Sequence, residues 1–389
     1  MQKVKIHFPN LDGLRFCAFF SVFIAHSLHL MGYIHPNPIV NRSLYYILSN
    51  GDLGVNFFFV LSGFLITYLL FKEQEFIGKV DIKRFYLRRI LRIWPVYFVV
   101  VAIGFMLVPN LAFVTAIKST IPFSIDIPMS TLPWYICFGA NFDLVFTGVK
   151  SLVVVILWSV SVEEQFYLVW PVLIQLFKNH ITKIIGTIIL LSFVYRFVNY
   201  NNYAALSYST WSVVSDLAIG SLAAYFTFFR PAFVSFFGKI RKNHILLAYV
   251  AGVGFILLRK YFHYFNDKFV HVFMPFEALV LSVFFAFIIL EQNFAENSFY
   301  KIGNLKFISR LGKISYGLYC YHSLAIVITL LVFQYAGLRH GPPSTLVYLS
   351  EVVTALFVSI AISACSYRFM EQRFIALKGK FSYLATGDK

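Results

Sequence analysis

In the apolar run LDGLRFCAFFSVFIAHSLHL, ten residues separate Arg15 from His26. On an α-helix that separation returns to nearly the same face and advances about 16 Å along the axis. A guanidinium at one membrane edge would then stand directly below an imidazole near mid-membrane. Charge at that depth costs several kcal/mol, which makes such residues functional candidates, and imidazole suits acid–base work at neutral pH. The same spacing also fits Arg15 snorkelling to lipid phosphates while His26 bonds a neighbouring helix. Both readings stand on the spacing alone.

Two further segments carry chemistry. FYLRRILRIWP places Arg88, Arg89 and Arg92 just before Pro95. Arg89 and Arg92 are three apart and share a helix face, so they could grip a phosphorylated molecule bidentately, or simply mark a cytoplasmic membrane edge. LWSVSVEEQFYLVWP holds Glu163 and Glu164 near the expected depth of His26, flanked by Trp158, Tyr167 and Trp170. A carboxylate aimed at an imidazole would raise its basicity and fix its tautomer; an interhelix hydrogen bond or a transporter's proton site fits equally. ISYGLYCYHSL adds Ser315, Tyr319 and His322, read as lining or packing. Asp216, Glu277 and Glu351 read as glue between helices, and His29 and His35 as interfacial. In GDLGVNFFFVLSGFLI, Gly54, Ser62 and Gly63 are small enough for close helix approach.

The elements that must hold these residues follow from composition. Of the 389 residues 59% are hydrophobic and only 13% charged, against about 25% charged in a soluble globular protein. The mean hydropathy is +0.74. That much apolar surface cannot be hidden in a soluble domain of this size, so a soluble enzyme, a disordered chain and a collagen-like repeat are excluded. A span takes roughly 20 apolar residues, and ten candidates appear, at 11–30, 53–71, 91–108, 152–177, 184–200, 210–229, 244–259, 269–290, 314–335 and 346–367. The expected fold is an all-α integral membrane protein with both termini cytoplasmic. Threaded that way, 24 of the 33 Lys and Arg fall on the cytoplasmic side and 7 on the other, with Arg15 and Arg196 inside spans; the bias follows the positive-inside rule. The net charge of +16 is thereby read as topology rather than as nucleic-acid binding. The Pro- and aromatic-rich stretch 131–147 is expected to be an outer or re-entrant segment. Cys17, Cys137, Cys320 and Cys365 stand singly, with no metal or disulfide spacing, and no Gly-rich nucleotide loop occurs. The first apolar run has no small-residue cleavage site after it and reads as a retained helix.

Taken in order, LDGLRFCAFFSVFIAH, GVNFFFVLSGFLI, FYLRRILRIWP, LWSVSVEEQFY and ISYGLYCYHS resemble acyltransferase family 3, the integral-membrane O-acyltransferases, from about residue 10 to 373. The resemblance implies a membrane acyltransferase domain over 1–373 with a short cytoplasmic tail at 374–389. It implies acyl groups, commonly acetyl, taken from cytosolic acyl-CoA (acetyl-CoA in the usual case), without a metal. The acceptor would be a hydroxyl of a cell-surface or lipid-linked glycan, or of a small lipophilic molecule, at the plasma (cytoplasmic) membrane. The family's Arg–ten residues–His motif falls on Arg15 and His26, its Arg-x-x-Arg motif on Arg89 and Arg92, and its Trp-Ser-x-x-x-Glu segment on Trp158, Ser159 and Glu163. The expected roles are His26 as general base, Glu163 orienting its ring, and Arg15, Arg89 and Arg92 holding the phosphates of CoA. Relatives often have Pro two residues after the histidine that aligns with His322; here it is Leu324. Many members carry an extra extracytoplasmic domain, so a second transfer step is expected to need a separate protein. The rival from another class is a proton-coupled transporter, which paired repeat halves would have supported.

Overall fold

The computed structural model describes residues 4–6, 8–34, 37–110, 127–149, 151, 153–263, 265–339, 341 and 343–386; His35, Lys118 and Lys150 lie outside them. Among the described residues ten long helices succeed one another: α1 Leu11–Met31, α2 Gly51–Ile77, α3 Ile82–Ala102, α4 Leu157–Leu176, α5 Ile181–Val198, α6 Thr210–Phe229, α7 Lys242–Phe262, α8 Asp267–Phe294, α9 Ser315–Tyr335 and α10 Thr345–Ser366. Hydrocarbon offers no partner to backbone polar groups, so apolar runs of this length close their hydrogen bonds internally as helices. Among the described residues nine helical stretches are long and apolar enough to cross a membrane. The tenth expected span is α4, which has the length but is interrupted by Glu163, Glu164 and Gln165. The protein is thus an all-α multi-pass membrane protein.

Several boundaries shift for physical reasons. Helix α3 begins at Ile82 rather than 91, because the Asp81 carboxylate accepts from the Arg84 backbone N–H at 3.0 Å and caps it. The arginines therefore belong to the helix itself. Helix α2 runs past its apolar core to Ile77, with Lys72 and Glu75 paired across one turn. The stretch 131–147 makes two short helices, Leu132–Ile136 and Ala140–Thr147. They lie against α3 and α4, where Tyr97 donates to the Tyr135 carbonyl and Gln165 to the Phe138 carbonyl, each at 2.8 Å.

The packing is layered. Of the central stretch of α9, 72% is buried, against 17% for α5 and for α7, which makes α9 an inner helix and those two a lipid-facing rim. At the α2–α6 crossing, a Cβ on Gly63 would run into the Leu217 carbonyl and one on Gly220 into the Val60 carbonyl, so only glycine lets these backbones meet. Gly54 does the same for α2 against Ala18 of α1. A polar string reinforces the contact: Trp170 donates to Thr67 (2.7 Å), which donates to Ser221 (2.8 Å).

Chain ends meet on one face of the bundle. Val4–Ile6 pairs in parallel with Leu384–Thr386. Arg88 donates to the Phe381 carbonyl (3.0 Å) and forms an ion pair with Glu73, while Tyr383 donates to Asp81. At the opposite end, Arg259 joins Glu277 (2.9 Å) and Asp52 (2.7 Å), and His263 bonds the other Glu277 oxygen. Arg339 likewise grips Glu351 and the Met31 carbonyl. Asp216 accepts from Ser282. Glu277, Glu351 and Asp216 thus tie helices together, as the sequence suggests.

Candidate active site

A cavity of about 200 Å³ opens among α1, α2, α3, α4 and α9 on the side of the paired chain ends. Its wall contains Arg15 from α1, Arg89 and Arg92 from α3, and Glu163 and Tyr167 from α4. Arg15 and the Arg89/Arg92 pair, far apart in sequence, are brought to one chamber because α1 and α3 both start at this face. Arg15 is paired with Asp12 at 2.6 Å. Among the described residues neither Arg89 nor Arg92 forms an ion pair, and the Arg89 Nε is buried with no hydrogen-bond partner. Unpaired guanidinium groups at such a site invite an anion.

The adjacent arginines divide cleanly. Arg88 is spent on Glu73 and the C-terminal segment. Arg89 instead lies over the rings of Tyr167 (5.5 Å) and Phe85 (5.7 Å), a cation–π seat. The Tyr167 hydroxyl donates to Glu163 Oε2 at 3.1 Å and the Ser62 hydroxyl to Glu163 Oε1 at 2.6 Å. Glu164 accepts from the Trp94 indole at 2.9 Å. Glu163 therefore braces the ring on which Arg89 rests. The expected contact from Glu163 to the His26 ring is not made: the Glu163 oxygens accept from Ser62 on α2 and Tyr167 on α4, and the His26 Nδ1 bonds His322 instead.

His26 finds its partner elsewhere. Its Nδ1 meets Nε2 of His322 at 2.8 Å, with the two rings stacked at 5.0 Å between centroids. His322 is fully buried; its Nδ1 lies 2.6 Å from the Tyr319 carbonyl oxygen, and Phe19 packs edge-on against its ring. His26 keeps part of its surface accessible. It is not itself among the cavity-lining residues; Tyr319 connects the two, with its side chain in the wall and its carbonyl on His322. The Tyr319 hydroxyl meets Ser159 Oγ at 2.7 Å. His29 lies nearer the C-terminal end of α1, exposed and bonded to the Ala25 carbonyl.

The chamber thus unites Arg15, Arg89, Arg92 and Glu163, with His26 reached from its wall through Tyr319 and His322. Sequence reading named Ser62 and His322 but gave neither its partner. Ser62, beside Gly63, passes for a packing residue, and nothing in its neighbours marks it as a donor to a helix a hundred residues away. His322 carried a signal, a histidine within an apolar run, but its partner lies 296 positions away.

Comparison with known proteins identifies the family. The family model described as an acyltransferase domain, that of acyltransferase family 3, matches residues 8–368. O-acetyltransferase OatA of Staphylococcus aureus (strain NCTC 8325 / PS 47) is 28% identical over 379 residues, and so is OatA of strain MRSA252. The match covers 94% of this chain and 57% of each relative, so the chain spans little more than half the length of these relatives. No solved structure matches the chain. Matched from just before α1 to just beyond α10, the chain belongs to acyltransferase family 3.

Proposed function

We propose that this protein is a membrane O-acyltransferase that moves an acyl group, acetyl by analogy with its relatives' name, from cytosolic acyl-CoA to a hydroxyl of a cell-surface or lipid-linked glycan. The observation that carries this reading is the chamber itself. Arg89 and Arg92 present uncommitted charge to an anion, Arg15 joins them, and the helix bearing Arg15 leads about 16 Å to a half-buried imidazole. Charge-assisted bonds from the arginines would hold the phosphates of CoA, and the extended arm of that substrate would carry the thioester toward His26. The excess of Lys and Arg on the side of the paired termini supports a cytoplasmic entrance in the plasma membrane.

In this scheme the His26 imidazole removes the acceptor hydroxyl proton as the oxygen attacks the thioester carbonyl. A C–O bond forms, the C–S bond breaks, and the proton passes from the imidazolium to the departing CoA sulfur. Such catalysis contributes about 10²–10⁴-fold. Glu163 serves from within the chamber by bracing Tyr167 under Arg89.

Purified protein in lipid nanodiscs, given radiolabelled acetyl-CoA and a membrane glycolipid extract, tests this. Label is expected to enter a base-labile ester on glycan. His26→Ala should abolish transfer while leaving acetyl-CoA binding within about twofold of wild type. Label appearing only on small lipophilic molecules would move the acceptor, and full turnover by His26→Ala would overturn the assignment of the base.

A further inference from the structure

We infer that His322 is a positioning residue that fixes the tautomer of His26, leaving the lone pair of His26 on Nε2. This rests on the acyltransferase reading for its consequence, but its geometry stands apart from it. A carbonyl oxygen can only accept a hydrogen bond. At 2.6 Å from the Tyr319 carbonyl, His322 Nδ1 must therefore carry a proton. Fully buried and with no carboxylate bonded to it among the described residues, the His322 ring is held neutral, because an unpaired charge there would bear its whole desolvation cost. A neutral imidazole has one N–H, so His322 Nε2 is an acceptor.

That acceptor lies 2.8 Å from His26 Nδ1. His26 must then donate from Nδ1, and its remaining nitrogen, Nε2, is left unprotonated. One backbone carbonyl, read through two rings, sets which atom of His26 can take a proton. When His26 Nε2 takes the acceptor's proton, the ring becomes an imidazolium whose Nδ1–H still points at a lone pair, so the charge forms against a partner already in place. His322 touches no substrate in this account. Its ring is locked by Phe19 on one side and by its own helix on the other, as a positioning group requires.

Two variants separate this from packing alone. His322→Gln offers an acceptor oxygen near the position of Nε2, whereas His322→Leu fills the space and offers none. With acetyl-CoA as the probe, His322→Leu should lower kcat by about 10²-fold or more at unchanged KM, and His322→Gln should recover to within about tenfold of wild type. Equal losses in the two folded variants, or a change in KM alone, would overturn the inference. A readout independent of activity accompanies it: nitrogen-15 NMR of histidine-labelled protein in bilayers, with His26→Ala identifying the signals. His26 is expected to show a protonated Nδ1 and a bare Nε2 in wild type, and to lose that preference in His322→Leu. A proton on Nε2 in the wild-type protein would sink the proposal outright. If the tautomer is as expected but acetyl-CoA is never consumed, the acyl-transfer reading fails and the positioning stands.

Discussion

Arg88 and Arg89 are chemically identical neighbours on α3 with different work to do, and the difference is measurable. Arg88 is engaged by Glu73, with side-chain exposures of 11% and 3%. Removing it strands a buried carboxylate, which costs about 3 kcal/mol or more. Among the described residues Arg89 has no ion-pair partner and a bare Nε, so on the proposed reading its removal would give up charge-assisted bonds to acyl-CoA, about 1.5–3 kcal/mol. We therefore expect Arg89→Ala to raise the apparent KM for acetyl-CoA at least tenfold with little change in thermal stability, and Arg88→Ala to lower the unfolding midpoint with KM nearly unchanged. Steady-state kinetics and thermal denaturation in detergent check both; the reverse pattern would mean that the anion grip lies elsewhere. Sequence spacing already separated Arg89 and Arg92 as a pair on one face. It could not show where Arg88 goes, because Glu73 reaches it only across the α2–α3 turn.

Among helices, what was legible followed from the bilayer. Apolar runs of about 20 residues announce themselves, and all ten long helices fall where such runs lie. Their ends were less legible: Asp81 extends α3 backwards by capping it, and charged surface turns continue α2 beyond its apolar core. Contacts between helices were hidden further, since Gly63 and Gly186 look alike in the sequence. A side chain on Gly63 would strike the α6 backbone, whereas one on Gly186 of α5 would meet nothing within 4 Å. Gly63→Leu should therefore destabilise by about 1–3 kcal/mol or more through overpacking, and Gly186→Leu should stay within about 0.5 kcal/mol of wild type. Comparing the two unfolding midpoints in the same detergent decides it, and equal midpoints would show that the α2–α6 crossing is looser than described. Because α2 also carries Ser62, which bonds Glu163, the Gly63 variant should lose transfer activity as well.

At the scale of the molecule, charge and chain-end pairing bear on one question, which way the protein sits. Residues 4–6 pair with 384–386, so both ends share a face, and the arginine chamber opens toward that face. The proposed acyl-CoA donor would require that face to be cytosolic, and the 24-to-7 split of Lys and Arg favours the same orientation. Asn266, which caps α8 by accepting from the Phe269 N–H, lies at the opposite end, with the Asp52–Arg259–Glu277 cluster. In a background with the four native cysteines replaced by Ser, Asn266→Cys should react with a membrane-impermeant thiol reagent in intact cells. Lys380→Cys should react only after permeabilisation. The opposite labelling would put the arginines outside, away from any cytosolic thioester. It would remove the donor from the mechanism while leaving the His26–His322 pair to be explained by another reaction, and for that reason topology constrains the chemistry here as strongly as any single residue does.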